Sequence, residues 1–229
     1  MTRSGLAPFD TLVDDVRPGA TYLLTGGSGS GKTSCALLFA SAGLDRGERV
    51  AMVGFGRRDA VLSHAEYLGI DLLTPLRDER LLLLRYRSDF ARRIANALSA
   101  EPALDDLRRL LGEHRPKRVV IDSVSPLLDD GTPSALAPTG VVELLERLAA
   151  MALVTYPGDL RPRIDRRLEP LVQSAAAVLH LEREENGVHR LEVVTVRGPA
   201  VRATASRFIL RSHDGFEQVA ALPDENSWH

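Results

Sequence analysis

Eight residues near the amino end of the chain have the types and the spacing of a loop that binds phosphate. They are Gly26, Gly27, Ser28, Gly29, Ser30, Gly31, Lys32 and Thr33. Glycines allow the tight turns that point successive backbone N–H groups at phosphate oxygens, and a helix beginning near Lys32 adds the positive end of its dipole. Lys32 is expected to bridge the β- and γ-phosphates, and the Thr33 hydroxyl is expected to bind Mg²⁺. The pattern therefore predicts binding of a nucleoside triphosphate, in the form of Mg-ATP.

A carboxylate elsewhere in the chain could complete a magnesium site with this loop. Asp122 directly follows the apolar residues 119–121, whose β-branched side chains predict a buried strand. In an open α/β sheet, ligands bind at the carboxyl ends of the strands, where Asp122 and the loop can converge. A carboxylate in this position holds Mg²⁺ in proteins with such a loop. Thr33 and Asp122 are therefore the predicted metal ligands, although aspartate at a strand end is also a common turn residue.

Strands and helices alternate through most of the chain, and this order predicts the class of the fold. Apolar runs predict strands over residues 22–25, 49–55, 81–84, 118–122 and 153–156. Amphipathic segments predict helices over residues 34–42, 59–68, 89–99, 102–112, 141–151 and 171–177, and residues 129–139 have loop composition. Such alternation favours an α/β fold with a mainly parallel sheet and helices on both faces.

The periodicity changes near the carboxyl end of the chain. Strands predicted over residues 177–183 and 188–197 join at Asn186-Gly187, and strands over 208–211 and 216–220 join at Asp214-Gly215. Both dipeptides are strong hairpin signals, so C-terminal antiparallel hairpins are expected to extend one edge of the sheet. The prediction is a single domain over residues 1–229, with a core of about 5–212 and a short C-terminal tail.

Composition and charge favour a cytoplasmic protein without a membrane segment. Hydrophobic residues make up 44% and charged residues 26%, and the net charge of −2 gives no overall basic field that would attract nucleic acid. No apolar run approaches the roughly 20 residues that span a bilayer. Cys35 is the only cysteine, which excludes an internal disulfide and suits a reducing compartment. Its place early in a helix would lower the pKa of its thiol, unless Cys35 is simply a buried apolar residue.

Several segments in a fixed order resemble the RecA superfamily, and within it the KaiC-like ATPases and their archaeal RecA-like relatives. The similarity covers about residues 5–212 and is carried by the loop at 26–33, the strand and helix within 50–72, the sequence IDSVSPL at 121–127 and the sequence VRG at 196–198. The resemblance implies a RecA-like P-loop core that binds ATP and Mg²⁺. It also implies assembly into homo-oligomeric rings, often hexamers, with ATP between neighbouring subunits.

The same resemblance suggests roles for two further residues. Arg197 holds the position from which a basic residue reaches the γ-phosphate in the neighbouring subunit, but Thr195 stands where the family usually has lysine. Thr155, at the end of the fifth predicted strand, holds the position of a polar γ-phosphate sensor. Each has an ordinary alternative: Arg197 as a solvent-exposed charge on the hairpin, and Thr155 as a residue that favours β-structure.

The sequence departs from the family at the end of the second predicted strand. The resemblance implies one or two glutamates there, which polarise the attacking water as a general base. This chain instead has the sequence FGRRD at residues 55–59. Asp59 is the nearest carboxylate and the candidate base, but aspartate is also favoured in the first turn of a helix by the helix dipole. The expected consequence is slow or absent ATP hydrolysis with ATP binding retained.

Three hypotheses about function follow from these residues. The leading one is an ATP-binding protein with weak hydrolysis, acting as a nucleotide-dependent regulatory or signalling scaffold with a protein partner. The alternative is a DNA-dependent ATPase resembling the recombination protein RadA, suggested by Arg161, Arg163, Arg166 and Arg167. Acidic residues interleave with these arginines and no aromatic residue lies among them to stack on bases, which makes DNA the less favoured partner. The third is a structural protein that has lost nucleotide binding.

Overall fold

The computed structural model describes residues 4–13, 16–54, 56–85, 101–128, 136–161, 166–197, 201, 203–212 and 215–219. The strands are β1 Thr21–Gly26, β2 Val50–Val53, β3 Leu81–Leu84, β4 Arg118–Ile121, β5 Met151–Pro157, β6 Ala177–Arg183, β7 Val188–Val196, β8 Ala205–Arg211 and β9 Gly215–Gln218. The helices are α1 Ala7–Asp10, α2 Lys32–Leu44, α3 Arg58–Tyr67, α4 Leu73–Arg77, α5 Glu101–His114, α6 Ser125–Leu128, α7 Leu136–Leu148 and α8 Glu169–Ser174. None of these helices is long and apolar enough to cross a membrane.

The described strands form one sheet in the order β3-β2-β4-β5-β1-β6-β7-β8-β9. Strands β1 to β6 run parallel, and β7, β8 and β9 continue the sheet antiparallel. This confirms the predicted RecA-like α/β class with C-terminal antiparallel hairpins. The order also places β5 between β1, which leads into the glycine-rich loop, and β4, which leads into Asp122.

The two faces of the sheet carry separate apolar cores. One core packs the sheet against α1, α2 and α3, and the other packs it against α5, α6, α7 and α8. Successive strand residues point to opposite faces, so Leu24 of β1 joins the first core and Leu23 joins the second. Strands β2 and β4 are buried along their whole length. Burial on both faces explains why these strands are continuously apolar instead of alternating.

The first predicted hairpin forms at the expected dipeptide. Asn186 has φ 61° and Gly187 has φ 77°, and β6 pairs with β7 on either side of them. The Glu184 N–H donates to the Val188 carbonyl at 2.7 Å, so the loop holds the three residues of a 3₁₀ turn, Glu185–Gly187, one more than the two-residue turn that the dipeptide favours. The hairpin turns the chain back so that β7 runs against the direction of the parallel strands.

Some predicted boundaries were wrong. Helix α7 begins at Leu136, so residues 136–139, predicted as loop, are helical; Pro138 is tolerated because it lies in the first turn, where N–H groups lack helical partners. Met151, predicted to end this helix, begins β5 instead, because Ala149 has φ 48° and breaks the helix. Helix α8 ends at Ser174, and Ala175 is extended. The helix predicted over residues 89–99 lies outside the described residues, and so do residues 129–135 of the predicted loop.

A buried arginine fixes α2, the helix that follows the glycine-rich loop, relative to β4. Arg118 is 1% exposed, donates to the Glu48 carboxylate at 2.6 Å and to the carbonyls of Phe39 and Ser4, and lies over the Phe39 ring. A buried charge is tolerated only when it is paired and hydrogen-bonded in this way. The contacts hold the carboxyl-terminal half of α2 against β4, while the amino end of α2 carries Lys32 and Thr33.

Candidate functional site

The glycine-rich loop joins β1 to α2 and depends on backbone conformations that favour glycine. Gly26 has φ 151° and Gly31 has φ 97°. A Cβ at Gly26 would lie 2.2 Å from the Leu181 carbonyl oxygen, and one at Gly31 would lie 3.1 Å from the His189 ring. Both positions disfavour a side chain through backbone strain, and Gly26 also lacks the space for one. The loop is packed against β6 and β7 as it turns into the helix.

Lys32 places its ammonium group inside this loop. The Nζ atom donates to the carbonyl oxygens of Gly26 at 2.8 Å and Gly27 at 2.6 Å, and to the Ser30 hydroxyl at 3.2 Å. Burial lowers the pKa of Lys32, and the nearby Asp122 carboxylate opposes that shift. A cation held among backbone groups at the amino end of a helix gives the loop the charge and the donors that a polyphosphate requires.

Asp122 lies against the same loop. Its Oδ2 atom accepts a hydrogen bond from the Thr33 hydroxyl at 2.8 Å, and its Oδ1 atom accepts one from Thr155. Thr155 is fully buried, and its carbonyl oxygen accepts the Val124 N–H at 3.0 Å. The structure thus brings together three residues that the sequence singled out: Asp122 directly after β4, Thr155 on β5 and Thr33 at the start of α2. Thr155 holds the Asp122 carboxylate from the side opposite Thr33.

The donors around Asp122 suit a magnesium ion that is shared with phosphate. Mg²⁺ prefers oxygen ligands and is usually held by one or two carboxylates together with substrate phosphates and water. Thr33 and Asp122 supply a hydroxyl and a carboxylate that already contact each other. No cluster of three or more His, Cys, Asp or Glu residues that could hold a metal occurs in the part of the chain that the structure describes. The protein oxygens therefore fit Mg²⁺ bound with a triphosphate.

Comparison with known protein families shows which family the chain belongs to. A family model described as ATPase: KaiC matches residues 2–217, which is nearly the whole chain. The chain belongs to the KaiC family of ATPases. It is therefore a nucleotide-binding protein of the RecA superfamily, as the resemblance of its motifs predicted. No individual curated protein matches the chain significantly.

The segment after β2 differs from what the resemblance to KaiC-like ATPases implies. Arg58 begins α3 and Asp59 lies in its first turn, in an ion pair of 3.8 Å with Arg57. The side chains of Arg57 and Asp59 are 82% and 84% exposed. Gly56 has open space around its Cα atom. The candidate base thus sits where the helix dipole alone would favour an aspartate, and its role as a base stays a prediction.

Three histidines contact the phosphate loop or the residues that flank it, and the sequence analysis missed all of them. His64 of α3 lies 3.0 Å from the Ser34 hydroxyl, His180 of β6 lies 3.0 Å from the Thr25 hydroxyl, and His189 of β7 lies 2.9 Å from the Ser30 carbonyl oxygen. Burial lowers the pKa of each imidazole. In the sequence the six histidines look scattered, because each contact joins residues 30 or more positions apart.

Arg197 lies at the amino ends of the parallel strands, whereas the phosphate loop of its own chain lies at their carboxyl ends. Its N–H donates to the Ala176 carbonyl at 2.7 Å, just before β6 begins, and its side chain is exposed. His189, near the start of the antiparallel strand β7, contacts the loop. The two residues are eight positions apart along an extended chain, which at about 3.4 Å per position is roughly 27 Å. Arg197 therefore cannot reach the nucleotide site of its own subunit. A role in a neighbouring subunit stays a prediction, beside the alternative of a solvent-exposed charge.

One arginine of the cluster after β5 is paired with carboxylates. Arg161 contacts the carboxylates of Asp159 at 2.7 Å, Glu192 at 2.7 Å and Glu182 at 3.4 Å. Its hydrogen bonds hold the pKa of Asp159 down at about 2. Arg163 lies outside the described residues, and Arg166 and Arg167 lie in a short 3₁₀ turn. A guanidinium held by three carboxylates is poorly placed to bind a phosphate backbone.

Cys35 proves to be a core residue of α2. The side chain is 4% exposed and packs in the first apolar core. Burial raises the pKa of its thiol to about 12, and the Asp122 carboxylate adds to that shift. Desolvation thus outweighs any lowering by the helix dipole, so the thiol is protonated at neutral pH. Of the two alternatives for Cys35, the structure supports the buried apolar residue.

Proposed function

We propose that this KaiC-family protein binds Mg-ATP and hydrolyses it slowly or not at all. The observation that carries the proposal is a contrast within one site. Lys32, Thr33 and Asp122 are assembled and in contact with their partners, whereas Gly56 and Arg57 occupy the place where the family resemblance implies a glutamate. Binding and hydrolysis depend on different residues: those for binding are assembled, and no glutamate occupies the place expected for the general base.

Each side chain of the site has a separate task in binding. Lys32 and the N–H groups of the loop hold the β- and γ-phosphates. Thr33 and Asp122 orient the magnesium ion, which would neutralise charge on the phosphates when bound. Thr155 keeps the Asp122 carboxylate in place from the side of β5. None of these groups is positioned as a proton acceptor for an attacking water, and loss of a general base lowers a rate by about 10²–10⁴.

We further propose that nucleotide occupancy, more than turnover, is the output of the protein. A protein that retains ATP without cleaving it has two long-lived states, with and without nucleotide, which suits a regulatory or signalling scaffold with a protein partner in the cytoplasm. The family resemblance implies a homo-oligomeric ring in which Arg197 reaches the γ-phosphate of a neighbour, and its exposed side chain, far from the loop of its own subunit, is compatible with that role. A hexamer is the form that the family resemblance implies.

Isothermal titration with Mg-ATP and a turnover assay test the central proposal together. Micromolar binding is expected in the presence of Mg²⁺, with weaker binding in excess EDTA, because Thr33 and Asp122 contribute through the ion. Asp122→Asn should remove most of the difference between the two conditions. Phosphate release should be slow or undetectable. Efficient hydrolysis that disappears in Asp59→Ala would show that Asp59 is a working base and would overturn the proposal of weak turnover.

The ring is tested by measuring the molar mass of the protein by light scattering with and without Mg-ATP. Assembly that grows on addition of Mg-ATP is expected, because a nucleotide bound between subunits stabilises the state that binds it. Arg197→Ala should weaken that assembly without changing the mass observed in the absence of nucleotide. A protein that stays monomeric at saturating Mg-ATP would contradict both the ring and the role of Arg197.

The alternative of a DNA-dependent ATPase gains no support from the described residues. Arg161, the described arginine nearest to β5, is held by three carboxylates. The overall charge of −2 supplies no field that would compensate.

A further inference from the structure

A buried histidine from the antiparallel part of the sheet supports the phosphate loop. His189 of β7 is 7% exposed, and its Nδ1 atom lies 2.9 Å from the Ser30 carbonyl oxygen. Its ring stacks on Phe208 of β8 at 5.4 Å, and Phe216 of β9 meets Phe208 edge-on at 5.2 Å. Packing against β8 and β9 thus fixes the orientation of the imidazole that contacts the loop.

The hydrogen bond determines which nitrogen of His189 carries the proton. A carbonyl oxygen only accepts hydrogen bonds, so Nδ1 must donate and carry the hydrogen. Burial lowers the pKa of this imidazole, and the bond to Ser30 only partly opposes that shift. The neutral ring therefore has a hydrogen on Nδ1 and none on Nε2.

The contact fixes the orientation of one peptide unit of the loop. In a trans peptide the C=O of Ser30 and the N–H of Gly31 point in opposite directions. Because the Ser30 carbonyl points at His189, the Gly31 N–H points away from that ring. Gly31 also packs closely on the ring, since a Cβ there would lie 3.1 Å from His189 Cε1 and 3.2 Å from Nδ1.

We propose that His189 is a positioning residue of the nucleotide site, which holds the Ser30 carbonyl and thereby directs the Gly31 N–H at a phosphate oxygen of the bound nucleotide. The inference rests on the proposed binding of Mg-ATP and adds a residue outside the phosphate-loop motif. Without the His189 donor, the Ser30–Gly31 peptide could rotate, and the anion would lose one oriented N–H group. The loop and the C-terminal hairpins are then one functional unit.

Three variants separate this role from ordinary packing. His189→Phe keeps an aromatic ring next to Phe208 but removes the donor, and it should weaken Mg-ATP binding by about 3- to 10-fold. His189→Asn restores an amide donor near the position of Nδ1 and should recover at least half of that loss. His114→Phe removes a comparable bond, 3.0 Å from the imidazole to the Val50 carbonyl at the amino end of β2, and should leave the affinity unchanged.

Mg-ATP binding by the wild type and by His189→Phe distinguishes the proposed function from the role of His189. Failure of the wild-type protein to bind Mg-ATP would overturn the proposed function and this inference with it. Normal binding by the wild type, with His189→Phe within twofold of it, would overturn the inference alone.

Nitrogen-15 NMR of wild-type protein labelled at histidine gives a test that does not depend on any variant folding. The spectrum should show His189 as the tautomer with hydrogen on Nδ1. In a second sample labelled with nitrogen-15 at glycine, addition of Mg-ATP should shift the Gly31 amide strongly. A hydrogen on Nε2 instead, or a Gly31 amide that does not respond to Mg-ATP, would contradict the positioning role.

Discussion

Replacement of both Gly56 and Arg57 with glutamate is expected to raise the rate of ATP hydrolysis by about 10²-fold or more. The substitutions supply carboxylates at the end of β2, where the resemblance to KaiC-like ATPases implies a general base, and a base contributes about 10²–10⁴ in rate. The structure accommodates them, because a Cβ at Gly56 meets nothing within 4 Å and the Arg57 side chain is 82% exposed. Phosphate release at saturating Mg-ATP is the measurement.

Asp59→Ala is the matched control for this gain of activity. It removes the carboxylate that is exposed and ion-paired with Arg57, and it should leave both the slow turnover and the Mg-ATP affinity unchanged. Rapid hydrolysis in the double variant, abolished again by Asp122→Asn, would show that the magnesium site is competent and that only the base is missing. A double variant that binds Mg-ATP normally but stays as slow as wild type would show that the missing glutamates do not limit turnover.

Lys32→Ala is expected to weaken Mg-ATP binding by about 10- to 100-fold. The ammonium group is held inside the loop by the carbonyls of Gly26 and Gly27 and by the Ser30 hydroxyl, and hydrogen bonds to a charged partner contribute about 1.5–3 kcal/mol each. Truncation removes both the charge and its donors without disturbing the apolar core. Isothermal titration with Mg-ATP measures the loss.

The chain has only one other lysine, which provides a control for lost positive charge. Lys117 is exposed and precedes β4, at the edge of the sheet away from the phosphate loop. Lys117→Ala makes the same change in net charge and should leave Mg-ATP binding unchanged. Equal losses in the two variants would show that Lys32 acts through the overall field of the protein and does not contact phosphate.

Local sequence was sufficient to predict the parts of the site that depend on neighbouring residues. The glycines of residues 26–31 are needed for backbone geometry, which is a property of the loop itself. The turn at Asn186 and Gly187 was predictable for the same reason, since both adopt positive φ. Helix ends were less predictable, as at Ala149, whose positive φ breaks α7 without a glycine to signal it.

Contacts between distant segments were predictable only where a general rule of folds applied. Asp122 could be expected near the phosphate loop because ligands bind at the carboxyl ends of strands in an open α/β sheet, and Thr33 does contact it. No comparable rule predicted the contact between His189 and Ser30. The sequence does not reveal that β6 pairs with β1, and this pairing is what places β7 near the phosphate loop. The same holds for Arg161, whose neutralisation by Glu182 and Glu192 depends on that pairing.

The sequence by itself determined that a loop for phosphate is present, because the requirement is local: glycines that bend the backbone, followed by a lysine and a threonine at the start of a helix. Its resemblance to KaiC-like ATPases also led to the prediction that Gly56 and Arg57 stand in the place of a glutamate. Only the tertiary structure decided which groups support that loop. Strand order places Thr155 beside Asp122 and His189 against Ser30, and it places Arg197 at the end of the strands away from the loop. The reason is that side-chain partners across a sheet are set by pairing between segments far apart in the chain.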